Sequence, residues 1–271
     1  MQSISPENVF RGTNAWVKAL PQIKNLTKRP LLLGRSACTY NLRGQIFKDL
    51  KEQKVNAYSS DLKFDCCYED LARLKEVTIK NNCDSIIAAG GGKVLDSGKF
   101  LAESLKIPCI TVPLSASTCA GWTSLSNIYT KNGQFIKDVA LQSCPKILVF
   151  DHKFIQKAPK RTLASGVADA LAKWYESSLT SSTINDGLVQ QAIQISRVLR
   201  DQLLIDGEKA FMNQLVDNQS WRNTIEACGL TAGLIGGIGG GKCRTAAAHA
   251  LHNAITQVIV PGTFLHGEIV G

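Results

Sequence analysis

No two of the nine cysteines are spaced CxxC, and Cys66 and Cys67 are adjacent. An odd count without zinc-ribbon spacing reads as reduced thiols in a cytoplasmic protein and excludes a disulfide framework. Long apolar runs are missing too: none approaches the ~18–20 residues that cross a bilayer, so no membrane partner is expected. The N-terminus has neither a basic start nor an apolar core, and no secretory leader is expected. No stripe of Lys and Arg interleaved with aromatics occurs, and no helix-turn-helix or RNA-binding signature, which argues against a nucleic-acid partner. Histidine is scarce, at 4 residues in 271.

What is present is ordinary globular composition, 44% hydrophobic and 20% charged, with a formal net charge of +9. Such a chain is long enough for one large or two ordinary domains, each able to bury its own core, and collagen-like or wholly disordered states are excluded. The charge admits an anionic partner without choosing one.

The first half alternates β-rich runs with helical stretches. Strands are expected at 30–34, 55–59, 84–89, 107–113 and 146–150, with helices near 44–53 and over 68–82. Lys131-Asn132-Gly133 between apolar runs at 125–129 and 135–141 is a hairpin signal. This alternation predicts a mostly parallel, helix-covered sheet. Beyond about residue 158 β-branched runs thin out. Helices are expected over 162–178 and 182–205, joined by the Ser/Thr cluster 177–183, with more helix from 209 onward. The expected organisation is an α/β domain at 1–157 and a helical domain at 158–271.

Gly90-Gly91-Gly92-Lys93 follows a buried strand and opens a helix. Glycines there let backbone N–H groups approach an anion, the helix N-terminus is electropositive, and Lys93 adds charge. The same glycines would also serve a tight turn. Gly236 to Lys242 fits GxxxxGK, but Cys243 stands where a P-loop needs a hydroxyl for magnesium, so a closely packed helix connection is expected instead. His249 and His252 lie three apart in an Ala-rich helix, and His266 follows after Pro261-Gly262 breaks it. Imidazoles from two elements plus a carboxylate suit a metal, and capping or buried hydrogen bonding suits them equally.

Four stretches carry a family likeness in constant order. They are Gly90-Gly91-Gly92-Lys93-Val94-Leu95-Asp96, then Thr111-Val112-Pro113 with Ser115-Ala116-Ser117-Thr118, then Ala164-Ser165-Gly166-Val167-Ala168-Asp169-Ala170-Leu171-Ala172, and finally Ala248-His249-Ala250-Leu251-His252-Asn253 with His266-Gly267-Glu268. Together they resemble the iron-containing alcohol dehydrogenase superfamily over nearly the whole chain, most closely its glycerol dehydrogenase-like branch. The resemblance implies a dinucleotide-binding α/β domain followed by an all-helical metal-binding domain, the dehydroquinate synthase-like fold. It implies NAD(P)(H) held by Gly90, Gly91, Gly92, Lys93, Asp96, Ser115 and Thr118, with Thr123, Leu125 and Tyr129 lining the nicotinamide side. Asp169, His249 and His266 would bind a divalent metal, and His252 would act as a proton relay or polar wall. Lys173 stands where iron-dependent branches carry another His, which favours zinc over iron. The implied partners are a small-molecule substrate and further copies of the chain.

Three departures from the family pattern stand out. Where glycerol dehydrogenases carry an Asp that contacts a glycerol hydroxyl, this chain has Cys119, followed by Trp122. The Thr118-Cys119-Ala120-Gly121-Trp122-Thr123 pattern looks more like the hydroxycarboxylate dehydrogenase group, which reduces 2-oxo acids, and Cys119 becomes a candidate catalytic-site residue. Arg35 occupies the place of the Asp that binds the adenosine ribose in NAD-using relatives, which favours NADP(H) through a 2′-phosphate. The chain stops at Gly271 inside what reads as an apolar helix, so a truncated second domain is expected. The resulting expectation is a metal-dependent oxidoreductase moving hydride between NAD(P)(H) and a small 2-hydroxy or 2-oxo acid or polyol. The alternatives are a dehydroquinate synthase-like lyase and a non-catalytic nucleotide-binding fragment.

Overall fold

The computed structural model describes residues 2–181, 183–213, 216–243, 246–260 and 262–271. The N-terminal part runs β1 (Asn8–Gly12), α1 (Ala15–Leu26), β2 (Pro30–Gly34), α2 (Tyr40–Glu52), β3 (Tyr58–Asp61), α3 (Tyr68–Lys80), β4 (Ser85–Gly90), α4 (Gly92–Leu105) and β5 (Cys109–Pro113). A hairpin of β6 (Leu125–Tyr129) and β7 (Phe135–Ala140) follows, then β8 (Ile147–Asp151) and the short α5 (His152–Gln156). The remainder is helical: α6 (Lys160–Ser181), α7 (Gly187–Met212), α8 (Gln219–Glu226), α9 (Ala232–Gly239), α10 (Ala247–Ile255) and α11 (His266–Val270).

Six strands form one parallel sheet in the order β1-β8-β5-β4-β2-β3. Every residue of β2, β4, β5 and β8 is buried, as expected for strands covered by helices on both faces. Because the strands are parallel, the C-terminal ends of β2, β4 and β5, which are neighbours, open on one edge. In open α/β sheets that edge is where ligands bind.

The strand-to-helix change falls where the sequence predicts it, but the core does not divide there. Leu148 and Phe150 of β8 belong to the same apolar cluster as Leu163, Leu199, Trp221 and Ile225 of the helical part. The two parts therefore pack as one body on that side.

Some local expectations shift for identifiable reasons. The strand expected at 55–59 begins at Tyr58, because Lys54 takes φ 63° and the Val55 N–H returns to the Leu50 carbonyl at 2.9 Å. The Ser/Thr cluster does not end α6 at 178; the helix runs on to Ser181. Thr180 Oγ1 donates to the Glu176 carbonyl (2.8 Å), and the Ser177 and Ser196 hydroxyls meet at 3.0 Å, so the polar side chains are satisfied within and between helices. Ser182 of that cluster and the break expected at Pro261 lie outside the described residues. β1 and α1 had no sequence prediction. Pro21 sits inside α1, whose buried face of Trp16, Ala19, Leu20 and Ile23 holds it against the sheet. Gly236–Lys242 is the end of α9 and a 3₁₀ turn, with no strand before it.

Gly166 joins the two parts. A Cβ there would lie 1.8 Å from the Ala116 carbonyl oxygen and 3.1 Å from Ser117 Cα, on the turn after β5. Those atoms are backbone and cannot rotate away. Gly166→Ala is expected to lower unfolding free energy by about 1–3 kcal/mol through overpacking, outweighing the helix propensity gained, as read by urea denaturation.

Candidate active site

A cavity of about 880 Å³ lies between the C-terminal edge of the sheet and the helical part. From the sheet side it is lined by Arg35 after β2, Gly91, Gly92 and Lys93 after β4, and Ser115, Thr118 and Cys119 after β5. Asp96, Thr123, Leu125 and Tyr129 line it further in, and Asp169, Lys173, His249 and His266 line it from the helices. Of the predicted site residues, Gly90 and His252 do not reach this cavity. Gly90 ends β4 behind the loop, accepting the Leu114 N–H at 3.1 Å. His252 stands behind His266, on a smaller pocket.

Helix α4 starts at Gly92 with Gly91 as its N-cap, so its first N–H groups have no partner within the helix and open on the cavity. A Cβ on Gly92 would stand 2.9 Å from Thr118 Cγ2, so any side chain here would have to displace the Thr118 methyl. Lys93 and Arg35 both ion-pair with Asp65, one to each carboxylate oxygen. Lys93 Nζ also lies 5.5 Å from the centre of the Tyr129 ring. Asp65 is buried in a loop and lines the same cavity.

Asp96 is engaged structurally as well as lining the cavity. It lies 3.0 Å from Lys99 Nζ, and its other oxygen accepts the Asn127 N–H at 3.2 Å. Lys99 donates to the Thr123 carbonyl at 3.0 Å, to Thr123 Oγ1 at 3.2 Å and to the Leu125 carbonyl. This buried pair fixes the segment that carries Thr123 and Leu125 against α4. Ser115 Oγ bonds Ser117 Oγ at 3.0 Å within its own turn. Cys119 is buried, and burial pushes its thiol up, so it presents a neutral wall and not a thiolate.

Asp169, His249 and His266 come together from α6, α10 and α11, with one donor atom of each within 4.8 Å of the others. His249 Nε2 and His266 Nε2 face Asp169 Oδ1 at 3.5 and 3.4 Å, and Asp169 Oδ1 has no hydrogen-bond partner among the described residues. Burial opposes charge on Asp169, but the two rings and Lys173 hold its carboxyl well below the usual carboxylate range. A buried carboxylate oxygen and two ring nitrogens aimed at one point are a donor set that fits a divalent cation.

Each imidazole is held from behind. His249 Nδ1 meets Glu176 Oε2, and Glu176 Oε1 accepts the backbone N–H groups of Ala246 and His249, both at 2.9 Å. His266 Nδ1 meets His252 Nε2 at 3.0 Å, and His252 Nδ1 meets Asn253 Oδ1 at 3.0 Å. Burial, helped by His266, pushes the His252 pKa down to about 4, so that ring is neutral near pH 7. Gly267 explains the seating of α11: its N–H donates to Ser165 Oγ at 3.0 Å, and a Cβ there would stand 1.8 Å from the Ser165 carbonyl oxygen. Ser165 is one turn before Asp169, which brings His266 over the carboxylate.

The sequence profile of iron-containing alcohol dehydrogenases matches residues 6–152, more than half of the chain. The chain belongs to the iron-containing alcohol dehydrogenase family. An uncharacterized oxidoreductase of Synechocystis sp. is 44% identical over 206 residues, which cover 76% of this chain and 53% of that protein. Hydroxycarboxylate dehydrogenase A of Escherichia coli is 35% identical over 189 residues, 68% of this chain and 52% of that protein. These alignments thus span about half the length of either relative. The crystal structure of glycerol dehydrogenase from Schizosaccharomyces pombe superposes with a TM-score of 0.86 at 28% identity, covering 99% of this chain and 69% of that one. The family's fold, a parallel-sheet α/β part followed by helices, is the fold found here.

Three residues at this site escaped the sequence reading. Glu176 had a signal, since it lies seven positions after Asp169 and so on the same helix face. Lys99 had a weaker one, three positions after Asp96. Asp65 sits in a loop with no periodicity to point to it. Asp96→Ala would leave the Lys99 ammonium buried and unpaired. Its expected cost is about 3–5 kcal/mol in urea denaturation, far above that of an exposed Lys48→Ala.

Proposed function

We propose that the protein is a metal-dependent oxidoreductase that moves hydride between NAD(P)(H) and the carbinol or carbonyl carbon of a small 2-hydroxy or 2-oxo acid or polyol. The observation that carries this reading is the convergence of Asp169, His249 and His266 on a cavity whose opposite wall is the Gly91-Gly92-Lys93 turn. Asp169, His249 and His266 would hold a divalent cation, with zinc favoured over iron because Lys173 takes the place of a further imidazole. When bound at Asp169, His249 and His266, the cation would supply Lewis acidity toward the substrate oxygen, and a nicotinamide in the cavity would supply the hydride chemistry.

The chain's own residues do the rest. The free N–H groups of Gly91 and Gly92 bind the pyrophosphate, and Lys93 adds charge there. Thr118, Thr123, Leu125 and Tyr129 wall the nicotinamide end and keep water from it. Lys99 holds the Thr123 and Leu125 segment in place from beneath. Arg35 would take a 2′-phosphate, which favours NADP(H). The neutral Cys119 thiol, with Lys173 beside it, would accept the carboxylate of a 2-oxo acid where an aspartate would repel it. His252 Nε2 holds the proton on His266 Nδ1. Nine unpaired cysteines suit a reducing compartment and support a cytoplasmic setting.

Metal analysis and a nicotinamide oxidation assay over 2-oxo acids, aldehydes and polyols test the reading together. Asp169→Asn is expected to lose bound metal and turnover in parallel; an active Asn variant would refute the metal assignment. In Arg35→Ala, kcat/KM with NADPH should fall roughly 10- to 100-fold, the value of a charge-assisted contact, with little change for NADH. Equal losses for both coenzymes would remove Arg35 from phosphate recognition.

A further inference from the structure

Glu176 does not itself line the cavity; it is buried on α6 and meets α10 at the backbone N–H groups of Ala246 and His249 and at the His249 ring. Its Oε1 is taken by the Ala246 and His249 N–H groups, which hold the first turn of α10. Its Oε2 is left for the His249 ring, at Nδ1. With two backbone N–H groups already donating to one oxygen, Glu176 meets α10 as a carboxylate, which can only accept. A neutral imidazole carries one proton. The ring faces a carboxylate on each side, but only Glu176 is in hydrogen-bond contact, at Nδ1, while Asp169 Oδ1 stands 3.5 Å from Nε2; the single proton therefore sits on Nδ1 and Nε2 keeps its lone pair.

The second ring obeys the same rule through a longer chain. Asn253 Oδ1 accepts from His252 Nδ1, so His252 Nε2 accepts from His266 Nδ1, and His266 Nε2 is bare toward Asp169. Asn253 and Glu176 are thus the two fixed acceptors from which both tautomers are set.

We infer that Glu176 is a positioning residue that fixes the His249 tautomer and ring direction, and so sets cation affinity at Asp169, His249 and His266 without contacting the cation. This rests on the metal reading above, and the test separates the two. Glu176→Gln is nearly isosteric. Its one amide oxygen stays pinned by the two backbone N–H groups, so its NH₂ must face His249 Nδ1. That donor forces Nδ1 to accept and moves the ring proton to Nε2, where it points at Asp169.

The measurements use the full chain. Nitrogen–proton correlation spectra of the metal-stripped protein, at a pH where the His249 ring is neutral and with His249→Asn for assignment, are expected to show Nδ1–H in the wild type and Nε2–H in Glu176→Gln. His152, bonded to Glu226 on the far side of the core, should stay unchanged as a folding control. Zinc affinity by chelator competition should fall roughly 10- to 100-fold in Glu176→Gln. An Nδ1–H tautomer that persists in the Gln variant overturns the inference, as does unchanged zinc affinity alongside an inverted tautomer. If Glu176→Gln does not fold, the wild type still decides: a neutral His249 carrying its proton on Nε2 overturns it. A wild type that binds neither zinc nor iron(II) but shows Nδ1–H refutes the metal reading and leaves the tautomer assignment of Glu176 standing.

Discussion

Charge buried as deeply as Asp169 must be compensated within a few ångströms, and most of the helical part can be understood as meeting that requirement. The carboxylate stands on α6 beside Lys173, with a ring from α10 and a ring from α11 closing over it. Neither ring is placed by its own helix alone. α10 is held through Glu176, and α11 through Ser165 and the close approach of Gly267. α6 therefore addresses a different neighbour at each turn of one face, from Ser165 through Asp169 and Lys173 to Glu176. Gly166, one position off that face, presses the same helix against the turn after β5.

The sheet side meets a different constraint, the gathering of two positive charges at one cavity edge. Arg35 and Lys93 come from different strand ends, and adjacent cations would repel one another. Asp65 lies between them and pairs with both. It keeps two flexible side chains in place at the cavity edge while leaving each partly exposed. Asp96 and Lys99 do the equivalent deeper in, where both side chains are buried.

Much of this was legible locally. The buried strands, the helices at 3.6-residue spacing, and the Gly90–Lys93 turn announce themselves through neighbours two to four positions apart. The order of the motifs carried the family, which the profile match over residues 6–152 then showed. β1 and α1 were missed because an edge strand of five residues and a helix containing Pro21 have little local signal. Ser177 and Thr180 misled because side-chain hydroxyls that usually end a helix here bond back to its carbonyls or across to the next helix.

By itself, then, the sequence determined the alternation of elements, the residue types able to bind phosphate or a cation, and their order along the chain. Only the tertiary structure decided that His252 stands behind His266, that Gly90 supports the turn without reaching the cavity, and that Asp65 and Glu176 belong to the site at all. The physical reason is separation along the chain. His249 and Glu176 are 73 residues apart, and Asp65 and Lys93 are 28 apart. No local periodicity reports such pairs. Which nitrogen of a ring carries its proton depends on the acceptor that folding brings to it.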